Sequence, residues 1–385
     1  MAVITGYNYF TRSLPLVLDF AISKGVLTAG NSVFITLESD AGAAGLGEAA
    51  PFPVLTGDNV DVVLMLCKGV LSELVGLSAE EALAVVRGSL REEVFLKSPT
   101  FLTGIEMALL DLIAKSKNLP MAALWAKASI SGVYTDMTLP VVSSSTEVQG
   151  FWKTYSEYDF KEVKVKVGSA HLSDDVDRVV SLMEAAPHIE RISLDGNQAF
   201  GVEGALKLLS QLKKNGIIPA LFEQPLPKDD FAGMVNLTEK SPVPIFADET
   251  VVTVDDAKKV INEKGAHGIN LKIMKSGIEQ ARQIGLLSKK AGLQVMIGGM
   301  LETEIAMTTS LHLVCGSGLT DWHDLDTPFF IKERVTDSSP YHSLNAFLKL
   351  PMSKGHGLEL SKSLDLKEKK KVNEHQEEWQ TTFFQ

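Results

Sequence analysis

The feature that most constrains this chain starts near residue 138, where a short β-like run, a turn and an amphipathic stretch recur. The runs are TLPVV (138–142), VKVKV (163–167), RISLD (191–195), ALFEQ (220–224), PIFAD (244–248), GINLK (268–272), QVMIGG (294–299) and GLTDWHD (318–324). Between them lie helix-like segments such as DDVDRVVSLMEAA after Ser173 and VDDAKKVINEK after Thr253, each behind a good N-cap residue. Strands that alternate with helices pair in parallel, so the pattern predicts an α/β protein built on a (β/α)8, TIM-like barrel. An open doubly wound sheet is the other arrangement the pattern permits.

The residues before it read as a separate α+β capping domain. NSVFITLESDAGAAGLGEAAPF predicts an antiparallel hairpin turned at SDAG. NVDVVLMLCKGVLSEL and TGIEMALLDLIAKSKN predict two helices, the second stopped by Leu119-Pro120. The expected boundaries are 1–135 for the cap, 136–330 for the barrel and 331–385 for a segment that returns to the cap and ends in a tail. That tail, KEKKKVNEHQEEWQTTFFQ, reads as a peripheral helix or flexible extension.

The formal net charge of −11 argues against nucleic acid or an anionic membrane as the partner. No apolar run reaches the length of a membrane span. Cys67 and Cys315 are too few for a disulfide framework, and no secretory leader precedes the first strand. The expectation is a cytoplasmic protein, a removed transit peptide aside, with a small-molecule substrate. A homo-oligomer is compatible with the sequence.

In VKVKVG (163–168), period-two alternation sends the valines to one face and Lys164 and Lys166 to the other. If the valines lie under helices, both ammonium groups point into the barrel, where an unpaired charge is costly. The acids that could meet them stand at the ends of later runs: Asp195, Glu223 and Asp248, followed by Lys272. From Lys166 onward the spacings are 29, 28, 25 and 24 residues, about one strand-plus-helix unit each. Consecutive groups therefore come from adjacent strands and share one mouth, where barrel chemistry sits.

Three carboxylates on neighbouring strands repel one another, and a hard divalent cation with oxygen ligands, Mg²⁺ before zinc, resolves that. No HExxH or paired histidine spacing competes for the role. Lys166 and Lys272 would flank the metal from opposite sides. For a lysine to act as a base near neutral pH its pKa must fall by roughly three units, about 4 kcal/mol. A metal and a second lysine can supply that by like-charge repulsion. Lys275 lies beyond its strand and is assigned to a loop.

These motifs carry a family likeness. GEAAPF…TGD (47–58) and EMALLDLIAKSKNLP (106–120) resemble the cap, and the KxK motif, LDGNQ (194–198), FEQP (222–225), ADE (247–249) and NLKIMKSG (270–277) the barrel, of the muconate-lactonizing subgroup of the enolase superfamily. Within it the chain is most similar to the dipeptide epimerases of the L-Ala-D/L-amino acid type. The resemblance implies one Mg²⁺ held by Asp195, Glu223 and Asp248. It also implies Lys166 and Lys272 as acid/base catalysts of a 1,1-proton transfer through an enediolate, with Lys164 beside the substrate carboxylate. The activity implied is that of an isomerase inverting the α-carbon of the C-terminal residue of L-Ala-L/D-Xaa dipeptides.

Asp324 and Asp326, in DWHDLD, match the Asp-x-Asp that holds the substrate α-ammonium in that family, and a dianionic muconate would find them repulsive. Gly299 and Met300, in IGGML (297–301), resemble a segment whose backbone lines the substrate, and Thr138 a threonine near its carboxylate. The chain departs from the alanyl-glutamate epimerases where they carry an arginine in the early cap loop. That position falls on Gly25, beside Lys24, which favours a larger or neutral second residue. Within the superfamily the rivals are a cycloisomerase, an o-succinylbenzoate synthase-like enzyme and an N-acyl amino acid racemase. Outside it they are a Schiff-base aldolase and an inactive binding protein.

Overall fold

The computed structural model describes residues 2–22, 25–125, 130–362 and 364. Lys24 and the tail beyond residue 364 lie outside the described residues.

Hydrophobic alternation and an Asp-Ala-Gly turn shape the start of the chain. Strand β1 (Ile4–Ile22) pairs antiparallel with β2 (Gly25–Ser39), and β2 with β3 (Ala44–Ala49) around the SDAG turn. β1 was not foreseen, because its ladder breaks between Pro15 and Phe20 and the period-two signal breaks with it. Helix Pro99–Ser116 lies against β3 at very short range. A Cβ on Gly47 would meet the Gly104 carbonyl oxygen at 2.0 Å, so glycine is required there. Helices Ala79–Arg87 and Arg91–Lys97 fall between the two helices that the periodicity marked.

After the short strand β4 (Gly132–Tyr134) come β5 (Met137–Leu139), β6 (Glu162–Lys166), β7 (Arg191–Asp195) and β8 (Phe222–Glu223). They continue as β9 (Ile245–Ala247), β10 (Gly268–Leu271), β11 (Gln294–Gly298) and β12 (Trp322–Asp324). β5 to β12 form one eight-stranded sheet in chain order, and every neighbouring pair is parallel. At the seam the Asp136 N–H donates to the His323 carbonyl at 3.1 Å, so the sheet is a nearly closed barrel and not an open doubly wound one. Val163 and Val165 are buried in the outer layer, as their alternation requires. Thr253 caps its helix in a reciprocal capping box. Ser173 does not cap: helix Leu172–Ala185 starts behind His171, and Asp175 instead accepts from the N–H groups of Gly168 and Ser169.

Two cap carboxylates fasten the cap to the barrel. Glu106 accepts from Ile278 N at 2.6 Å at the start of helix Ile278–Lys290. Glu48 accepts from Thr303 N at 2.9 Å and Ala306 N at 3.1 Å at the start of helix Glu304–Ser317. Each puts negative charge where unpaired helix N–H groups and the helix dipole favour it. Beyond the barrel, Lys332 N donates to Pro15 O at 2.8 Å, and β13 (Phe347–Lys349) pairs with β4. Further on, His356 N donates to Asp111 Oδ1 on the long cap helix at 2.8 Å.

Candidate active site

The barrel register brings the charged strand ends together. Lys166 pairs in register with Asp195, and Asp195 with Glu223, so three neighbouring strands end level. Lys166 Nζ lies 2.5 Å from Asp195 Oδ2. Lys164, 1% exposed, reaches Asp324 Oδ2 at 2.5 Å and Glu223 Oε2 at 2.7 Å. Across the mouth, Lys272 Nζ meets Asp248 Oδ2 at 2.7 Å. β6, which carries Lys166, and β10, which ends one residue before Lys272, stand four places apart in the eight-stranded ring. The two lysines therefore face each other across the barrel.

Seven of the predicted residues line one pocket: Thr138, Lys166, Lys272, Gly299, Met300, Asp324 and Asp326. Lys164, Asp195 and Glu223 lie around its floor by the contacts above, and Asp248 lines an adjoining cleft with Lys272 and Met300. Thr138 N donates to Asp326 Oδ2 at 2.6 Å, which fixes that carboxylate over the first strand. At Gly299 a Cβ would come within 2.8 Å of Met307 Cε and 2.9 Å of Thr327 Cγ2, so any side chain there would push those two groups aside. An apolar wall of Phe20, Leu27, Phe52, Leu55 and Phe330 closes the rest of the pocket. None of these five was singled out in the sequence: Phe20 lies on β1 and Leu27 on β2, and no local pattern tells which hydrophobics turn toward the barrel mouth.

Two further differences concern the charges. Lys275 is not in a loop. It sits on the helical turn Ile273–Ser276, and its Nζ donates to Asp248 Oδ1, the Asp248 carbonyl and the Asn270 carbonyl. Among the described residues, the acids whose oxygens approach within 4.8 Å of one another are Asp136, Asp324 and Asp326, not the three expected metal ligands. Lysines interleave those three, and Asp136 was not anticipated at all. Its signal was available, since it stands two residues before Thr138 and so on the same face.

With only protein charges around it the Lys272 pKa is raised, whereas the fall expected of a catalytic lysine was tied to a bound metal and a second lysine. Burial pulls it down, but Asp248 and Glu223 outweigh burial and hold the ammonium. Burial pushes the Glu223 carboxyl up to about 7, against the pull of Lys164 and with the push of Asp195 and Asp248. Asp248 goes the other way: burial would raise it, and Lys272 and Lys275 together bring it below the usual range.

The donor set nevertheless fits a hard cation. Asp195, Glu223 and Asp248 offer carboxylate oxygens only. Glu223 Oε2 and Asp248 Oδ2 are buried, meet a lysine ammonium at 2.7 Å each, and take no aligned hydrogen bond.

Comparison with known families agrees with this geometry. Residues 147–364 match the enolase C-terminal domain-like family, and residues 8–125 the mandelate racemase/muconate lactonizing enzyme N-terminal domain. The chain belongs to the enolase superfamily. A relative from Herpetosiphon aurantiacus, named aromatic dipeptide epimerase, is 32% identical over 91% of this chain and 96% of its own. One from Populus trichocarpa, named L-Ala-D/L-amino acid epimerase, is 33% identical over 89% of this chain and 82% of its own. A solved dipeptide epimerase of Enterococcus faecalis V583, complexed with Mg and the dipeptide L-Leu-L-Tyr, superposes with a TM-score of 0.84. It is 26% identical and covers 92% of this chain and 99% of its own. The chain is thus similar, in sequence and in fold, to superfamily members named as epimerases of dipeptides.

Proposed function

We propose that this protein is a Mg²⁺-dependent dipeptide epimerase that inverts the α-carbon of the C-terminal residue of L-Ala-L/D-Xaa. The observation that carries the reading is the placement of Lys166 and Lys272 at the ends of strands four places apart, facing one pocket that also holds Asp324 and Asp326. A dipeptide is a zwitterion, and the pocket has a cationic side and an anionic side to match. Asp324 and Asp326 would receive the α-ammonium. The substrate carboxylate would lie toward Lys164 and the ligand acids, with Thr138 and the Gly299–Met300 backbone along its flank.

Asp195, Glu223 and Asp248 would hold the cation. Bound there, it would neutralise the substrate carboxylate and favour the charge that develops when the α-proton leaves. One lysine, neutral, removes the α-proton from one face of the α-carbon, and the other, protonated, delivers a proton to the opposite face. Reversing those roles runs the reaction from the other stereoisomer. The Asp195 and Asp248 carboxylates orient the two lysine head groups before the substrate arrives. The Mg-bound, dipeptide-bound relative and the two relatives named for dipeptide epimerisation support this reading.

The apolar wall supports a hydrophobic or aromatic Xaa over glutamate. Phe20 and Leu27 pair across β1 and β2, two residues from Gly25, where the family resemblance would put an arginine in the glutamate-selective enzymes. The test is to incubate the protein and Mg²⁺ with L-Ala-L-Phe, L-Ala-L-Leu and L-Ala-L-Glu and separate the products by chiral chromatography. The reading predicts L-Ala-D-Phe or L-Ala-D-Leu formed faster than L-Ala-D-Glu. Equal or faster turnover of the glutamate substrate contradicts the preference, and no inversion of any dipeptide contradicts the activity.

A further inference from the structure

Asp136 belongs to no step described above, and its surroundings demand an explanation. It precedes β5, is 7% exposed, and stands one layer deeper in the barrel than Thr138 on the same face. Oxygens of Asp136, Asp324 and Asp326 all lie within 4.8 Å of one another, inside one buried cluster. Its Oδ1 is buried and, among the described residues, has no hydrogen-bond partner.

Carboxylates in one buried cluster repel one another, and a proton held by one of them relieves that. The charges around the trio agree. The groups facing Asp136 are Asp324 from β12, Lys164 from β6 and Asp326 from the turn beyond β12. Lys164 is the cation that acts on Asp136, and it is shared with Glu223, while Lys272 and Lys166 act on Asp324. The Tyr155 and Tyr341 hydroxyls face Asp326 and bring no positive charge. Burial and the Asp324 charge raise the Asp136 carboxyl well above its ordinary range, in the same direction.

We propose that Asp136 is a positioning residue for the ammonium site: it holds a proton against Asp324 in the free protein and releases that proton to solvent when a substrate ammonium binds the Asp324–Asp326 pair. The incoming cation supplies the positive charge that the proton had supplied. The inference rests on the dipeptide reading, and it makes substrate binding weaken as pH falls.

Isothermal titration of the Mg²⁺-bound protein with L-Ala-L-Phe, in two buffers of different ionisation enthalpy, counts the protons released. At about pH 6 the dipeptide ammonium is already fully charged and takes up none itself. The expected count is about one proton for the wild type, so that apparent affinity changes about tenfold per pH unit in that range. Asp136→Asn keeps the shape and a donor toward Asp324 but has no proton to give, and is expected to release about none with a pH-independent affinity. N-acetyl-L-Ala-L-Phe, which lacks the ammonium, is expected to release none from the wild type. A wild type that epimerises the dipeptide yet releases no proton overturns this inference and leaves the dipeptide reading standing. So does equal release by wild type and Asp136→Asn, or by wild type with the acetylated dipeptide, a comparison that holds even if the variant fails to fold. A wild type that neither binds nor epimerises the dipeptide overturns both.

Discussion

Lys164 Nζ lies 2.5 Å from Asp324 Oδ2, across the seam of the barrel, and 2.7 Å from Glu223 Oε2 on the other side. One buried ammonium thus couples the acids that would take a substrate ammonium to the acids that would take a metal. It also answers why a valine-rich strand carries cations on its inner face: each inward lysine has a carboxylate waiting on another strand.

Lys164→Met removes that ammonium and leaves two buried carboxylates without their partner. Breaking a buried pair by removing one member costs about 3–5 kcal/mol. Urea denaturation of the variant should show a loss of that order, together with impaired dipeptide binding. A variant as stable as the wild type would mean that Asp324 and Glu223 do not depend on Lys164.

Lys166→Ala and Lys272→Ala are each expected to abolish epimerisation, by at least about 10³-fold, because inversion needs a proton donor and a proton acceptor on opposite faces. Each variant should still exchange the α-proton of the one stereoisomer that its surviving lysine faces, read by mass spectrometry in D₂O. Normal epimerisation by both variants would contradict the two-lysine assignment.

Mg²⁺ should stabilise the fold, since it binds ligands that only the folded barrel brings together. At a concentration one hundred times its dissociation constant the gain is about 2.7 kcal/mol. Differential scanning fluorimetry should show a higher melting temperature with Mg²⁺, reversed by EDTA. Glu223→Gln should lose most of that shift. An unchanged shift in this variant would remove Glu223 from the ligand set.

His312 predicts an acid limit to stability. Burial pushes its imidazole down to about 4, against the hydrogen bond between its Nε2 and the His356 carbonyl, while its Nδ1 accepts from Ala122 N. In the unfolded chain a histidine titrates near 6.5, so between these values the unfolded state binds the proton and folding loses free energy as pH falls. The contribution is present in full above the unfolded value and falls by up to about 3 kcal/mol on acidification to the folded value. Urea midpoints across that range should fall less steeply for His312→Asn than for the wild type. Parallel slopes would assign the acid sensitivity elsewhere.

The barrel was legible because its strands, β8 and β12 aside, bury β-branched or aliphatic residues between turn signals. RISLD was read at its observed bounds, Arg191–Asp195. ALFEQ was read three residues too long: the ladder holds only Phe222–Glu223, and Gln224 leaves it at φ 30° to bond Thr250. Charged residues at strand ends were legible through their spacing, which is why Lys166, Asp195, Glu223 and Lys272 could be placed at one mouth. Lys275, read as beyond its strand, was put in a loop because no local pattern shows that the chain turns helical there and folds the ammonium back onto Asp248. Phe20 and Phe330 meet at 4.9 Å from distant parts of the chain, and no local pattern announces such a contact. The direction of the Lys272 pKa depends on which charges stand nearest, and spacing alone does not rank them.

The central claim is that Lys166 and Lys272 move the α-proton of a dipeptide in a pocket that needs a divalent cation. The most direct measurement is incorporation of deuterium at the C-terminal α-carbon of L-Ala-L-Xaa dipeptides in D₂O, with Mg²⁺ and then with EDTA, followed by mass spectrometry. The account predicts a gain of one deuterium that depends on Mg²⁺ and disappears with EDTA. No gain on any dipeptide, or a gain indifferent to EDTA, would contradict it.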